Sequence, residues 1–403
     1  MFNHVQHYAG DPILGLMDKH KKDPRPSKVN LGVGVYYDDA GTLPVLGTVQ
    51  KAEAIIANPP KPRPYLPMDG LPGYRTACQN LLFGQDSQVL KDKRVATAQT
   101  IGGSGALKVG ADFIRTWFPA AKCYVSDPTW ANHIGIFEGA GFEVRKYPYY
   151  DAATNGVKFD EMIAFFNTLN ENDVVLLHPC CHNPTGVDLT QAQWDKVLEV
   201  VQAKKLLAFM DIAYQGFGDD MDADAYAIRK AVDMGLLFFV SNSFSKNLSL
   251  YGERVGGLSV VCYDADQANL VQGQLQFTIR RNYSSPPSHG GNVVDIIMND
   301  AELQAEWVKE VYEMRDRIKA MREQLRDTLQ AKIPGRSFQY LADQKGMFSF
   351  TGLTPEQVAK LAADYGIYMV SNGRMCVAGL NSSNIDYVEI GRASCRERVS
   401  SPV

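Results

Sequence analysis

The sequence has no apolar run long enough to cross a membrane: its densest, Gly235 to Val240, is six residues, against the roughly 20 that a spanning helix needs. Its first residues, MFNHVQHYAGDP, contain no apolar signal core, so the expectation is a protein that is not secreted. It has no basic excess either. Lys and Arg number 41 against 45 Asp and Glu, a net charge of −4, and a protein that gripped nucleic acid by neutralising phosphates would be basic. Seven cysteines, an odd number without paired spacing, make no disulfide framework and suit a reducing cytoplasm. Repeats and low-complexity tracts are missing. What remains is ordinary globular material, 45% hydrophobic and 21% charged over 403 residues, enough for two or three domains with sizeable cores. The expectation is a soluble cytoplasmic enzyme, with no nucleic acid and no membrane among its partners.

Residues 1–14 read as an extended polar arm, and the Pro-rich stretches Asp23 to Pro26 and Pro59 to Pro67 exclude helix. Between about residues 95 and 262, short apolar runs alternate with amphipathic segments. Cys123 to Val125, Val174 to Leu177, Leu206 to Met210 and Leu236 to Val240 are apolar throughout, as strands buried on both faces of a parallel sheet are. Leu303, Trp307, Val311, Met314, Ile318, Met321, Leu325 and Leu329 then recur at helical spacing and predict one long helix. Gly346 to Thr351, Tyr368-Met369 and Cys376 to Ala378 read as strands of a second domain. The pattern predicts an α/β fold: a large domain with a mostly parallel sheet and helices on both faces, plus a smaller α+β domain.

Open parallel sheets bind ligands at the carboxyl ends of their strands. Three runs end in polar residues there: His178-Pro-Cys-Cys-His182-Asn183-Pro-Thr-Gly186, Asp211-Ile-Ala-Tyr214, and Ser241-Asn-Ser243-Phe-Ser245-Lys246 with Arg254 eight residues on. Gly102-Gly103-Ser104-Gly105 leads into a helical pattern over Ala106 to Trp117, and such a turn aims backbone N–H groups at an anion. Each feature alone has an ordinary explanation: turn chemistry, a helix cap, a solvated lysine, a surface ion pair. Together at one sheet edge they meet the needs of pyridoxal 5'-phosphate, in which a lysine takes the aldehyde, an arginine the phosphate and an aspartate the ring nitrogen.

The stretches YLPMDGLPGYR, GGSGALKVGADF, SDPTWANH, HPCCHNPTGVDLT, DIAYQGF, SNSFSKNLSLYGERVGGL, RRNYSSPP, KGMFSFTGL and SNGRMCVAGLN, in that order to about residue 388, resemble the class I aminotransferases of fold type I, in particular the aspartate and aromatic amino acid branch. The resemblance implies that Lys246 holds the cofactor and shuttles the proton. It further implies that Asp211 pairs with the ring nitrogen, Tyr214 and Asn183 bond the phenolate oxygen, and Trp130 stacks on the ring. Gly103, Ser104, Ser243, Ser245 and Arg254 would hold the phosphate, with Tyr65 reaching over from a partner subunit. Arg374 would grip the substrate α-carboxylate, Gly34 would lie in the loop over the substrate, and the partner's copy of Arg280 would take a distal carboxylate. Trp130 and Asn183 would also touch substrate. A homodimer embraced by the N-terminal arm follows from the same resemblance, as does a division into 1–14 (arm), 15–47 and 312–388 (small domain), and 48–311 (large domain).

Tyr37, Leu43, Ser104 and Ser285 resemble the aromatic branch, whereas Pro64 departs from its usual aliphatic residue. The expected reaction moves the amino group of tyrosine or phenylalanine to 2-oxoglutarate by a ping-pong mechanism, with aspartate as the alternative donor. Three rival readings are weaker. Ser243-Phe-Ser-Lys246 fits the S-x-x-K of serine acyl-transfer enzymes but lacks S-D-N and K-T-G partners. His178, Cys180, Cys181 and His182 crowd together like zinc ligands without the usual C-x-x-C spacing. A non-catalytic binding protein on the same fold leaves Lys246 without a purpose.

Residues 389–403 break the pattern. EIGRASCRERV has no helical apolar periodicity where a closing helix is expected, and it resembles the in-frame translation of a sequencing adapter, so this tail reads as foreign to the gene.

Overall fold

A computed structural model describes residues 1–7, 10, 12–60, 62–333 and 335–389. The chain divides into two compact units, Pro44–Asp316 and, separately, Met1–Leu43 with the chain from Arg317 onward. The helix Ala301–Lys332, 32 residues long, contributes to both, and it covers the whole run of apolar residues from Leu303 to Leu329.

The larger unit is built on a seven-stranded sheet: β1 (Val95–Ile101), β2 (Cys123–Asp127), β3 (Val144–Pro148), β4 (Val174–Leu177), β5 (Leu207–Ile212), β6 (Phe238–Ser243) and β7 (Val255–Val261). Their spatial order is β1-β7-β6-β5-β4-β2-β3. All neighbours are parallel except β7, which runs antiparallel to both β1 and β6. Strands that are apolar in every position need cover on both faces. The helix Gly102–Trp117 supplies part of it, burying Ala106, Leu107, Val109, Phe113 and Ile114 in a cluster with Val125, Leu176, Phe209 and Leu258.

β4 ends at Leu177 as expected, but the expected ends of β2, β5 and β6 are two to three residues short. β5 continues through Asp211 to Ile212 and β6 through Ser241 to Ser243, because the backbones keep pairing (Asp211 opposite Ser241, Ile212 opposite Asn242) beyond the last apolar side chain. The Gly-rich turn is likewise inside its helix, which begins at Gly102 rather than Ala106. β1, β3 and β7 are additional to the runs read from the sequence, and β3 carries the exposed, charged Arg145 and Lys146. β7 opens with Val-Gly-Gly and β1 mixes Thr and Gln into its apolar residues, so neither reads as a continuous apolar run.

In the smaller unit, Val29–Asn30 pairs in parallel with Ile367–Tyr368, and Phe348–Phe350 pairs antiparallel with Arg374–Cys376. The last strand therefore lies two residues earlier than the apolar run suggests, and Val377–Gly379 is a 3-10 turn. Arg322, almost fully buried, donates to the carbonyls of Leu341, Gly346 and Phe348, fixing the strand that carries Phe348. Of the expected arm, residues 8, 9 and 11 lie outside the described residues. The rest meets the helix Pro12–Lys22, where proline opens the helix because no N–H is needed at that position. Residues 385–389 are helical, and Glu389, assigned to the tail by sequence, is buried and pairs with Lys332 at 2.6 Å. The remainder of that tail, 390–403, lies outside the described residues.

Candidate active site

At the carboxyl end of β5, Asp211 is buried, and one of its carboxylate oxygens lies 3.0 Å from His133 Nε2. An ionised carboxylate only accepts, so Nε2 carries the proton, and Nδ1 accepts from the Thr129 hydroxyl at 2.9 Å. Burial works to raise the Asp211 carboxyl. The hydrogen bond from His133, with His178 and Ser241 beside it, outweighs that and holds the group below the usual carboxylate range. Trp130 caps the helix Ala131–Gly139 and sets its ring edge-on to His133, 5.1 Å between centroids.

After β4, His178 and His182 are buried with their rings 4.4 Å apart. His182 bonds Ser126 Oγ at 2.8 Å and Thr185 Oγ1 at 2.7 Å, and stacks on Tyr149. Neither ring nitrogen of His178 has a hydrogen-bond partner among the described residues, and burial, with His133 beside it, pushes its pKa down to about 3. Asn183 and Tyr214 are buried on the same side of the sheet's strand ends. The Lys246 ammonium lies 5.0 Å over the Tyr214 ring, on a loop that Trp307 Nε1 pins by donating to the Asn247 carbonyl at 2.7 Å.

A second cluster forms where the first turn of the helix Gly102–Trp117 faces β6 and β7. Gly102 has φ +64°, and a Cβ there would stand 2.5 Å from Arg254 Nη2. Gly103 lies against Ser243. Ser243 Oγ accepts the Ser245 N–H at 3.2 Å, and Arg254 Nη1 donates to the Tyr251 carbonyl at 2.9 Å and reaches Ser245 Oγ at 3.5 Å. The first-turn N–H groups, Ser104 among them, have no partner within the helix. Guanidinium, hydroxyls and amides converging around glycines form a cradle suited to a phosphate.

Tyr65 and Arg280 stand apart. Tyr65 is 95% exposed, and the exposed Arg280 bonds Ser284 Oγ at 2.5 Å. Ser285 and Pro64 also belong to the larger unit. Gly34, Tyr37, Leu43 and Arg374 belong to the smaller one. There Arg374 is buried, donates to the Gly32 carbonyl at 2.6 Å and lies 4.4 Å over the Phe348 ring. Gly34 packs on the same ring, so closely that a Cβ would stand 2.7 Å from Phe348 Cζ.

The zinc reading fails on geometry. His178 groups with His133 and Asp211, whereas Cys180 and Cys181 group with Asp224, so the four expected ligands do not converge among the described residues. In the S-x-x-K reading, the Ser243 hydroxyl is instead engaged by the Ser245 amide. The sequence reading missed His133, Thr129 and Phe348. The three-residue spacing from Trp130 to His133, which puts both on one helix face, was the available signal for the first.

A doubly covered, mostly parallel sheet whose strand ends gather a lysine, a histidine-held aspartate and a phosphate cradle defines an α/β enzyme of the kind that works through a phosphorylated aldehyde cofactor. Residues 26–389 match the sequence profile of the family described as aminotransferase class I and II. The chain belongs to that family. It is 57% identical over 389 residues (96% of this chain, 98% of the other) to the aromatic-amino-acid aminotransferase of Escherichia coli strain K12. Among solved structures it is similar to a psychrophilic aromatic amino acids aminotransferase from Psychrobacter sp. B6, cocrystallised with aspartic acid, at 70% identity and TM-score 0.97, covering 98% of this chain and 99% of that one. It is also similar to an aromatic-amino-acid aminotransferase from Burkholderia pseudomallei covalently bound to pyridoxal phosphate, at 52% identity and TM-score 0.96, with the same coverage.

Proposed function

We propose that the protein is a pyridoxal-phosphate-dependent aminotransferase that takes the amino group of tyrosine or phenylalanine and passes it to 2-oxoglutarate, in a cytoplasmic homodimer. The observation that carries the reading is the joint placement, within one unit, of Lys246 over Tyr214, Asp211 ionised against His133, and Arg254 against glycines that leave no room for side chains. These residues fit the cofactor at its aldehyde, ring nitrogen and phosphate. When bound, the cofactor supplies an electron sink for bond breaking at the substrate Cα.

The chain's own groups do the rest. Asp211 stays ionised at neutral pH and so favours a protonated ring nitrogen. Lys246 Nζ would hold the cofactor at its aldehyde and, as a neutral amine, would take up and pass on the substrate α-proton. Asn183 and Tyr214 donate to the phenolate oxygen, and Trp130 covers a ring face. Gly103, Ser104, Ser243, Ser245 and Arg254 hold the phosphate. Arg374, its guanidinium carbon 4.4 Å over the Phe348 ring, grips the α-carboxylate through its N–H fork. Gly34 leaves that grip open to substrate, and Arg280 and Tyr65, exposed in the single chain, act from the partner subunit. The six described cysteines are buried and form no disulfide, as is usual in a reducing compartment, and no described helix is long and apolar enough to cross a membrane. Aspartate stands as a second donor, since the Psychrobacter relative was crystallised with aspartic acid.

The test is the visible spectrum of the purified protein, before and after tyrosine and then 2-oxoglutarate. A cofactor band that shifts with the amino acid and returns with the keto acid is expected, and Lys246→Ala abolishes turnover and borohydride trapping. A band that answers aspartate and ignores tyrosine overturns the donor class and keeps the family.

A further inference from the structure

Two adjacent thiols have no task in this reaction. Cys180 and Cys181 lie between β4 and Asn183, both buried. Neighbouring side chains on an extended chain point to opposite sides. Cys181 breaks that alternation with φ +51°. The Cys180 thiol hydrogen-bonds Cys181, and both sulfurs and a carboxylate oxygen of Asp224 lie within 4.8 Å of one another. Asp224 is itself held by the N–H groups of Gly216 at 2.8 Å and of Gly218 and Asp219 at 2.9 Å, which fill three of its roughly four acceptor positions.

We infer that Cys180 and Cys181 form a dithiol site for trivalent arsenic, taken up as arsenous acid, with Asp224 accepting a hydrogen bond from the hydroxyl left on arsenic. In the binding step two S–H and two As–O bonds break and two As–S bonds form. Each thiol proton leaves with a hydroxide as water, arsenic stays trivalent, and nothing is oxidised or reduced. Hydrogen bonding to Cys181 and burial keep the Cys180 thiol protonated at neutral pH, so it is a poor target for alkylating reagents that need a thiolate. Arsenous acid avoids that obstacle, being neutral and carrying the protons away itself. A divalent cation would have to enter a buried site as a charge, which is why the occupant is arsenic and not zinc.

The site is coupled to the neighbouring chemistry through the backbone. Asp188 holds the N–H groups of Cys181 and His182 at 2.7 and 2.8 Å, Cys181 Sγ lies 3.9 Å from the Tyr214 carbonyl oxygen, and Asn183 is two residues on. Drawing both sulfurs onto one atom shifts the segments that carry Asn183 and Tyr214. Loss of turnover on arsenic binding therefore rests on the aminotransferase reading, whereas binding itself does not.

The experiment incubates the holoenzyme with sodium arsenite, removes the excess, and counts arsenic per chain by elemental analysis alongside tyrosine turnover. One arsenic per chain and at least a tenfold loss of turnover are expected, both reversed by 2,3-dimercaptopropanol and not by the same concentration of a monothiol. Cys180→Ser and Cys181→Ser each abolish retention; if either fails to fold, the alanine variant replaces it. Alkylation of the wild-type protein, unfolded in urea at mildly alkaline pH where unbound thiols ionise, then reports two protected thiols on the peptide containing residues 180 and 181. No arsenic on the wild-type protein, retention by either single variant, or protection mapped elsewhere overturns the site. Arsenic retained by an enzyme that already failed to turn over tyrosine before treatment counts against the donor class alone.

Discussion

His133 Nε2 lies 3.0 Å from Asp211 Oδ2, and this bond fixes the state of both residues. It commits the histidine to one tautomer, with Thr129 serving the other nitrogen, and it keeps a fully enclosed carboxylate ionised against the cost of its burial. A hydrogen bond to a charged group contributes about 1.5–3 kcal/mol. His133→Ala is therefore expected to weaken cofactor binding on the order of 10- to 100-fold while leaving the fold intact. Absorbance titration of the cofactor-free protein measures this, and unchanged affinity would mean that Asp211 needs no support from His133.

Gly102 has no room for a side chain. With φ +64° and Arg254 Nη2 2.5 Å from where a Cβ would sit, Gly102→Ala both strains the helix start and pushes the guanidinium away. The expected cost is about 1–3 kcal/mol in urea unfolding, together with a weaker grip on inorganic phosphate and cofactor. Loss of stability without loss of phosphate affinity would remove Arg254 from the cradle.

His178 predicts how stability varies with pH. Its folded-state pKa, about 3, lies below the usual 6.5, so below pH 6.5 the unfolded chain takes the proton that the folded one refuses. The contribution is full above pH 6.5 and is lost as pH falls toward 3. At pH 5 the loss from this residue is about 2 kcal/mol, and His182, also pushed down by burial, adds to it in the same direction. Urea midpoints between pH 7.5 and 5 should fall less steeply in His178→Gln than in the parent, and parallel curves would refute the assignment.

The Phe348 ring is a platform for Arg374, at 4.4 Å from the guanidinium carbon. Cation–π contacts contribute about 0.5–2 kcal/mol. Phe348→Leu keeps the bulk and loses the π face, so KM for amino acids should rise roughly 3- to 30-fold with the cofactor spectrum unchanged. A fall in kcat at constant KM would place the ring's role elsewhere.

Much of the site was legible in the sequence because polar residues that end an apolar strand have few places to go. Asp211, Ser243 and the two segments carrying Asn183 and Tyr214 follow directly from where the apolar runs stop. Arg254 and Lys246 stood out only in company with the other strand-end residues, since a lysine or arginine in a polar loop has no pattern of its own. His133 escaped because its spacing from Trp130 puts the two on one helix face but does not tell that this face meets a carboxylate 78 positions away. The antiparallel β7 escaped because its glycines, required for close approach to Gly102 and Asn242, interrupt the apolar run that marked the other strands.

The sequence by itself determined the α/β class, the long helix and the family, because hydrophobic period and strand-end chemistry are local properties that survive being read one residue at a time. Tertiary structure alone decided which histidine holds Asp211, that the expected zinc ligands divide between two clusters, and that Arg374 rests on Phe348. Those are distances between residues far apart in the chain, and they exist only after the sheet has ordered its strands.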